Sequence, residues 1–190
     1  TPQAAEVRLA LATPALYRFD HAAALLHAER ALQTYQRFEL HERLPAAYSA
    51  LGNALTRAGD YERAEACLRQ AMTGAAEIGG ASYDHVMAAG YLAYVLELQG
   101  RTAEASQVAE EALWAHEGGP TVYEVYVCRS VLADTYLSSG RLVDAERIYR
   151  ELVDLGEVRQ YRVPLALAYF GLAYLHLARG DTAEGTALAQ

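Results

Sequence analysis

Apolar and polar positions in this chain follow a helical spacing that recurs about every forty residues. Four segments align: Leu51-Gly52-x-x-Leu55-x-x-x-Gly59-Asp60-x-x-x-Ala64, Leu92-Ala93-x-x-Leu96-x-x-x-Gly100-Arg101-x-x-x-Ala105, Leu132-Ala133-x-x-Tyr136-x-x-x-Gly140-Arg141-x-x-x-Ala145 and Leu172-Ala173-x-x-His176-x-x-x-Gly180-Asp181-x-x-x-Gly185. The glycines at 59, 100, 140 and 180 are spaced 41, 40 and 40 apart. A fainter copy lies upstream, in Leu11-Ala12 and Asp20-x-x-x-Ala24. The spacing predicts helices over 5–17, 20–37, 42–57, 60–78, 82–98, 101–116, 121–138, 141–157, 160–178 and 181–190. Self-similarity at this period predicts an all-α solenoid of antiparallel helix pairs.

Each repeated position has a physical job. Gly52, Ala93, Ala133 and Ala173 on first helices, with Ala64, Ala105, Ala145 and Gly185 on second helices, are small where paired helices cross. The turn glycines fall where a helix must end in a left-handed residue, which glycine adopts without steric cost. Asp60 and Asp181 follow and can accept the free amides opening the next helix. Pro45, Pro120 and Pro164 fall near the starts of first helices, where a missing amide is tolerated. Pro14 falls inside a helix, and a kink or late start is expected there.

Tyr48, Leu51-Gly52, Leu55, Ala64 and Leu68 match the aromatic, Leu-Gly, large residue, Ala and bulky apolar signature of the tetratricopeptide repeat (TPR) family, which the chain resembles. Two features depart from the pattern. The period is near 40 rather than about 34, and Arg129 and His176 replace the aromatic and the leucine of other repeats. The longer period is similar to kinesin light chains, to polarity scaffolds of the Pins type, and to sensor domains of MalT-like bacterial regulators. The resemblance implies a right-handed superhelix of about five repeats, near 5–44, 45–85, 86–125, 126–165 and 166–190, in one domain over 1–190. The chain begins at Thr1-Pro2 and stops part-way along the last expected helix, as an excerpt of a longer protein would.

Charge narrows the function classes. Formal net charge is −8, and all 16 basic residues are arginine. Without lysine there is no Walker A loop, no Schiff base and no lysine-built carboxylate clamp. The acidic balance disfavours direct nucleic-acid binding. No apolar run is long enough to span a bilayer. Cys67 and Cys128 stand alone, without metal spacing, and read as packing residues in a reducing cytoplasm. The six histidines are scattered, and His176 reads as a core residue with a satisfied nitrogen. The chain lacks Gly-x-Ser-x-Gly, His-Glu-x-x-His, Gly-x-Gly-x-x-Gly and Cys-x-x-Cys. No enzyme activity, cofactor or metal is expected. The carboxylates of the second helices read as a solvated outer face.

In the family, first helices line the concave face. Steps of three and four residues then select one stripe per first helix. The stripes are Glu42, Ala46, Ser49, Asn53 and Thr56; Tyr83, Met87, Gly90, Tyr94 and Glu97; Tyr123, Val127, Ser130, Asp134 and Leu137; and Val163, Leu167, Phe170, Tyr174 and Leu177. The candidate groove residues are Asn53, Tyr83, Met87, Tyr94, Glu97, Tyr123, Ser130, Asp134, Phe170 and Tyr174. Tyrosines present rigid area with a polar tip, as binding surfaces prefer. Asn53 stands where related domains hold a peptide backbone by donor and acceptor together. The same tyrosines could instead fill gaps between repeats. Glu42, Glu97 and Asp134 favour a protein or peptide partner carrying arginine or lysine beside apolar anchors. The expected function is a protein- or peptide-binding module, the regulatory part of a larger bacterial protein. The alternatives are a small-ligand sensor of a transcription regulator, or a scaffold that self-associates as a homodimer through its last repeat.

Overall fold

The structure is a computed structural model and describes residues 1–79, 83–117, 123–159 and 162–188. Among the described residues ten α-helices follow one another: α1 (Pro2–Tyr17), α2 (His21–Arg37), α3 (Leu44–Ala58), α4 (Tyr61–Gly79), α5 (Tyr83–Leu98), α6 (Thr102–Ala115), α7 (Tyr123–Ser138), α8 (Leu142–Arg159), α9 (Arg162–Ala178) and α10 (Thr182–Leu188). Among the described residues there is no strand. A short 3₁₀ turn, His41–Arg43, precedes α3, so that helix begins after the position expected from sequence. Odd-numbered helices are the first helices of pairs and even-numbered ones the second.

The four turn glycines adopt φ of 83, 76, 78 and 87°. Around each, the two amides after the helix turn back onto its last turn. Gly59 N donates to Thr56 O and Asp60 N to Leu55 O, and the pattern recurs at Gly100, Gly140 and Gly180. This is the Schellman arrangement, and it needs a left-handed residue at that place. In the first pair the same two bonds form around Phe19, a non-glycine residue at φ 59°. Helix starts are capped where the sequence offers an acceptor: Asp20 Oδ1 accepts from Ala23 N at 3.0 Å and Asp60 Oδ1 from Arg63 N at 3.3 Å. Asp181 instead lies 3.7 Å from His176 Nδ1.

Pro14 and His176 each carried a specific expectation. The helix carrying Pro14 has no late start: it begins at Pro2, where Thr1 Oγ1 accepts from Ala4 N, and it contains Pro14 near its end. His176 is buried as expected, but its Nδ1 has no hydrogen-bond partner. Pro45 lies in the first turn of α3, whereas Pro120 lies outside the described residues.

Within each pair the helices cross at an alanine ladder. Ala24, Ala64, Ala105 and Ala145 are wholly buried, and Gly185 occupies the corresponding place. Closeness at the crossings is measurable at Gly52, where a Cβ would stand 2.5 Å from Leu68 Cγ. Each first helix packs on its own second helix and on the next first helix, giving the inner series α1, α3, α5, α7 and α9. Each second helix also packs on the following first helix, but among the described residues no second helix packs on another. Inner helices are therefore close and outer helices splayed, which produces a solenoid with the first helices on its concave side.

Candidate functional site

Counting back from the turn glycine registers the concave face. The position six residues before it holds Asn53, Tyr94, Asp134 and Tyr174 in successive repeats. Asn53 and Tyr94 are half-buried, while Asp134 and Tyr174 are exposed. The position ten residues before it holds Ser49, Gly90, Ser130 and Phe170. The first three are buried where the next first helix arrives: a Cβ on Gly90 would lie 3.1 Å from Cys128 Cα. Ser130 is accordingly a packing residue whose hydroxyl donates to Val127 O at 2.8 Å. Phe170 is 67% exposed, because α9 is the last first helix.

The other candidates divide between floor and rim. Met87 is half-buried and Tyr83 is exposed, its ring tilted against His116 with centroids 5.4 Å apart. Glu97 accepts from Thr135 Oγ1 at 2.9 Å and from Ser138 Oγ, so it ties α5 to α7. The Arg57 guanidinium lies over the Tyr94 ring, 5.8 Å from its centroid. Tyr123 OH stands 3.5 Å from Tyr17 OH. That contact joins the first and fourth of the inner helices across the floor made by α3 and α5. Between α1, α3 and α5 lies a cavity of about 170 Å³ lined by Leu9, Ala12, Leu16, Ser49, Asn53 and Tyr91, among others. Ser49 Oγ is buried there without a partner.

Asp134 has an unusual setting. Tyr149 OH donates to its Oδ1 from α8. The residue is exposed, yet its carboxyl group loses much of its hydration to the protein around it. This desolvation pushes its pKa up to about 6, with the Tyr149 bond opposing and the Glu97 charge adding to the rise. Among the described residues no arginine pairs with Glu97 or Asp134.

The outer face is the opposite. Consecutive second helices are joined by arginine–carboxylate bridges: Arg63 with Glu29, Arg69 with Glu104, Arg101 with Glu65, and Arg141 with Glu110. Arg179, in the turn before α10, continues the series onto Glu146. Between α4 and α6 the four groups close a ring, since Arg69 also bonds Glu65 and Arg101 also bonds Glu104. Burial alone would raise Glu65, but the bonds from Arg101 and Arg69 outweigh it and hold the carboxyl below its usual range. Arg141 also covers the Tyr136 ring at 3.8 Å, and Tyr136 OH donates to Glu110 at 2.7 Å. These bridges were not anticipated from sequence. The available signal was the Gly-Arg pair at 100–101 and 140–141, followed each time by an acidic residue at 104 or 144.

Comparison with known proteins agrees with this geometry. A tetratricopeptide repeat profile matches residues 43–118, and a second profile of the same name matches 126–151 and 166–190. The chain belongs to the tetratricopeptide repeat family. No curated protein matches its sequence. Among solved structures, a Rap protein complexed with Competence and Sporulation Factor superposes with a TM-score of 0.83 at 19% identity, over 98% of this chain and 52% of that one. TPR-like repeats of a putative kinesin light chain from Podosopora anserina give 0.73 at 17% identity, covering 99% and 92%. A thermophilic TPR protein of Thermus thermophilus gives 0.74 at 18%, covering 97% and 88%. At these identities the likeness concerns the fold. TPR modules are typically sites of protein interaction, and this chain has their architecture. Among the described residues no helix is long and apolar enough to cross a membrane, and no group of side chains is arranged to hold a metal ion.

Proposed function

We propose that this TPR domain binds a segment of another protein along the concave face of its first helices. The observation that carries the reading is the contrast between the two faces. Outer carboxylates at the junctions between repeats (Glu29, Glu65, Glu104, Glu110 and Glu146) pair with arginine, whereas among the described residues Glu97 and Asp134 on the inner face accept only from hydroxyls. The same first helices carry Asn53, whose amide bonds to no protein group among the described residues, and the tyrosines Tyr94, Tyr123 and Tyr174. Uncompensated negative charge among rigid aromatic rings suits a partner with basic and apolar side chains. The complex of the Rap protein with Competence and Sporulation Factor supports a TPR-like solenoid of this shape as a receptor. We place the domain in the cytoplasm, as the regulatory part of a larger bacterial protein; its two free cysteines accord with that.

A second reading, sensing of a small ligand as in regulators of the MalT-like type, is favoured by the cavity of about 170 Å³ between α1, α3 and α5. The exposed residues Leu167, Phe170, Tyr174 and Leu177 on α9 also offer a surface for self-association. Selection of a displayed random-peptide library on the wild-type domain and on the Tyr94→Ala/Tyr123→Ala variant separates these readings. Peptides enriched by the wild type and lost by a variant of unchanged far-UV circular dichroism support the groove. Equal enrichment by both, or none by either, rejects it.

A further inference from the structure

The Arg57–Tyr94 stack has a vacant counterpart two repeats further on. Arg57 lies two residues before its turn glycine, and its guanidinium covers the tyrosine six residues before the next one. In the last two repeats the same two places are Ser138 and Tyr174. The tyrosine is kept, but the arginine is a serine whose hydroxyl turns away to Glu97. Tyr174 is 58% exposed, and among the described residues its ring carries no cation.

A carboxylate lies beside that vacancy. Tyr149 connects the two: its hydroxyl donates to Asp134, and its ring lies against Gly171, one helical turn before Tyr174 on α9. Asp134 therefore sits where α7 meets α9, on the same face as Tyr174. Glu97 adds a second negative charge close enough to raise the Asp134 pKa. A carboxylate and an open aromatic face side by side make a receptor for a planar cation, which can pair with one and stack on the other.

We infer that Asp134 and the open face of Tyr174, backed by Glu97, form a subsite for an arginine side chain of the bound segment. The inference rests on the concave face being the binding surface. It specifies arginine over lysine, because only the planar guanidinium can stack on Tyr174 while presenting two donors to Asp134. Internal Arg57 over Tyr94 shows the ring half of that contact already made within the chain.

The test uses two short peptides, acetyl-Ala-Ala-Arg-Ala-Ala-amide and its glutamine counterpart, titrated into domain with ¹³C-labelled tyrosine rings. The arginine peptide should shift the Tyr174 and Tyr149 ring signals saturably, and the glutamine peptide should bind about tenfold more weakly. Asp134→Asn keeps an acceptor for Tyr149 and should reduce the arginine preference to nearly one. Tyr174→Leu keeps an apolar surface and should weaken the arginine peptide several-fold. Equal affinity for both peptides, with shifts at Tyr94 and Tyr123, overturns the subsite while leaving the groove standing. Absence of any saturable shift with either peptide also overturns the subsite; the library selection decides the groove independently.

Discussion

The ring of Tyr149 lies so flat against Gly171 that a Cβ at that glycine would stand 2.4 Å from Cε1 and Cζ. The contact lets a residue of α8 reach through to the inner face and bond Asp134. Gly171→Ala should therefore act at two places. Overpacking of a buried, rigid ring should lower stability by about 1–3 kcal/mol. The displaced hydroxyl should also leave Asp134 without its donor, which raises the carboxyl pKa further. Urea denaturation reads the first effect and carboxyl ¹³C titration the second. An alanine variant of wild-type stability would show that the ring does not press on α9.

Asp134 itself gives a pH dependence. Its folded pKa of about 6 lies above the value of ~3.9 expected for the unfolded chain. A raised pKa means that the fold favours the neutral form. Its contribution to stability is fully present below about pH 4 and is lost as pH rises through about 6. Water reaches this residue, so the effect at pH 7 is limited to about 1 kcal/mol. Asp134→Asn should match wild type at pH 4 and exceed it by up to about that amount at pH 7, measured by denaturation midpoints across the range. A variant less stable at pH 7 would mean that the ionised carboxylate helps the fold.

Phe19 occupies the left-handed turn position that glycine fills in the other repeats, and 82% of it is exposed. A side chain there costs about 1–2 kcal/mol in backbone strain, partly offset by the greater freedom glycine gives the unfolded chain. Phe19→Gly should thus stabilise by roughly 0.5–1 kcal/mol. Thermal melting of the two proteins decides it, and a lower midpoint in the variant would show that the exposed ring makes a contact worth more than the strain.

Among the described glycines, Gly52 makes the nearest approach within a pair: Leu68 Cγ would be 2.5 Å and Ala64 O 3.3 Å from an added Cβ. Gly52→Ala should lower stability by about 1–3 kcal/mol, and Gly52→Leu by more. Both are read from denaturant midpoints. A tolerated leucine would mean that α3 and α4 can separate without loss.

Legibility in the sequence followed the distance over which each feature is decided. Helix bounds, turn glycines and the alanine ladder were readable because each depends on neighbours within one repeat. Ser130 sits in the stripe that spacing assigned to the inner face, yet it is buried. Spacing defines a direction around one helix, whereas burial there depends on how near the next first helix comes. The Tyr17–Tyr123 contact spans three repeats and depends on accumulated superhelical twist, which no local pattern encodes. Phe19 hid its turn because the residue type usually marking a left-handed position was absent. Arg101 and Glu65 lie on different second helices, and their meeting follows from repeat stacking rather than from either helix alone.

The splayed outer layer has a mechanical consequence. Inner helices are held by interlocked side chains that resist sliding and separation, while among the described residues neighbouring outer helices meet each other through ion pairs rather than packed side chains. Such a body is stiff along its inner edge and compliant along its outer one. Its easiest deformation changes curvature, opening or tightening the coil without breaking the inner seam. Because ionic strength weakens the outer lacing far more than the seam, the radius of the coil should respond to salt while its length along the inner edge stays constant.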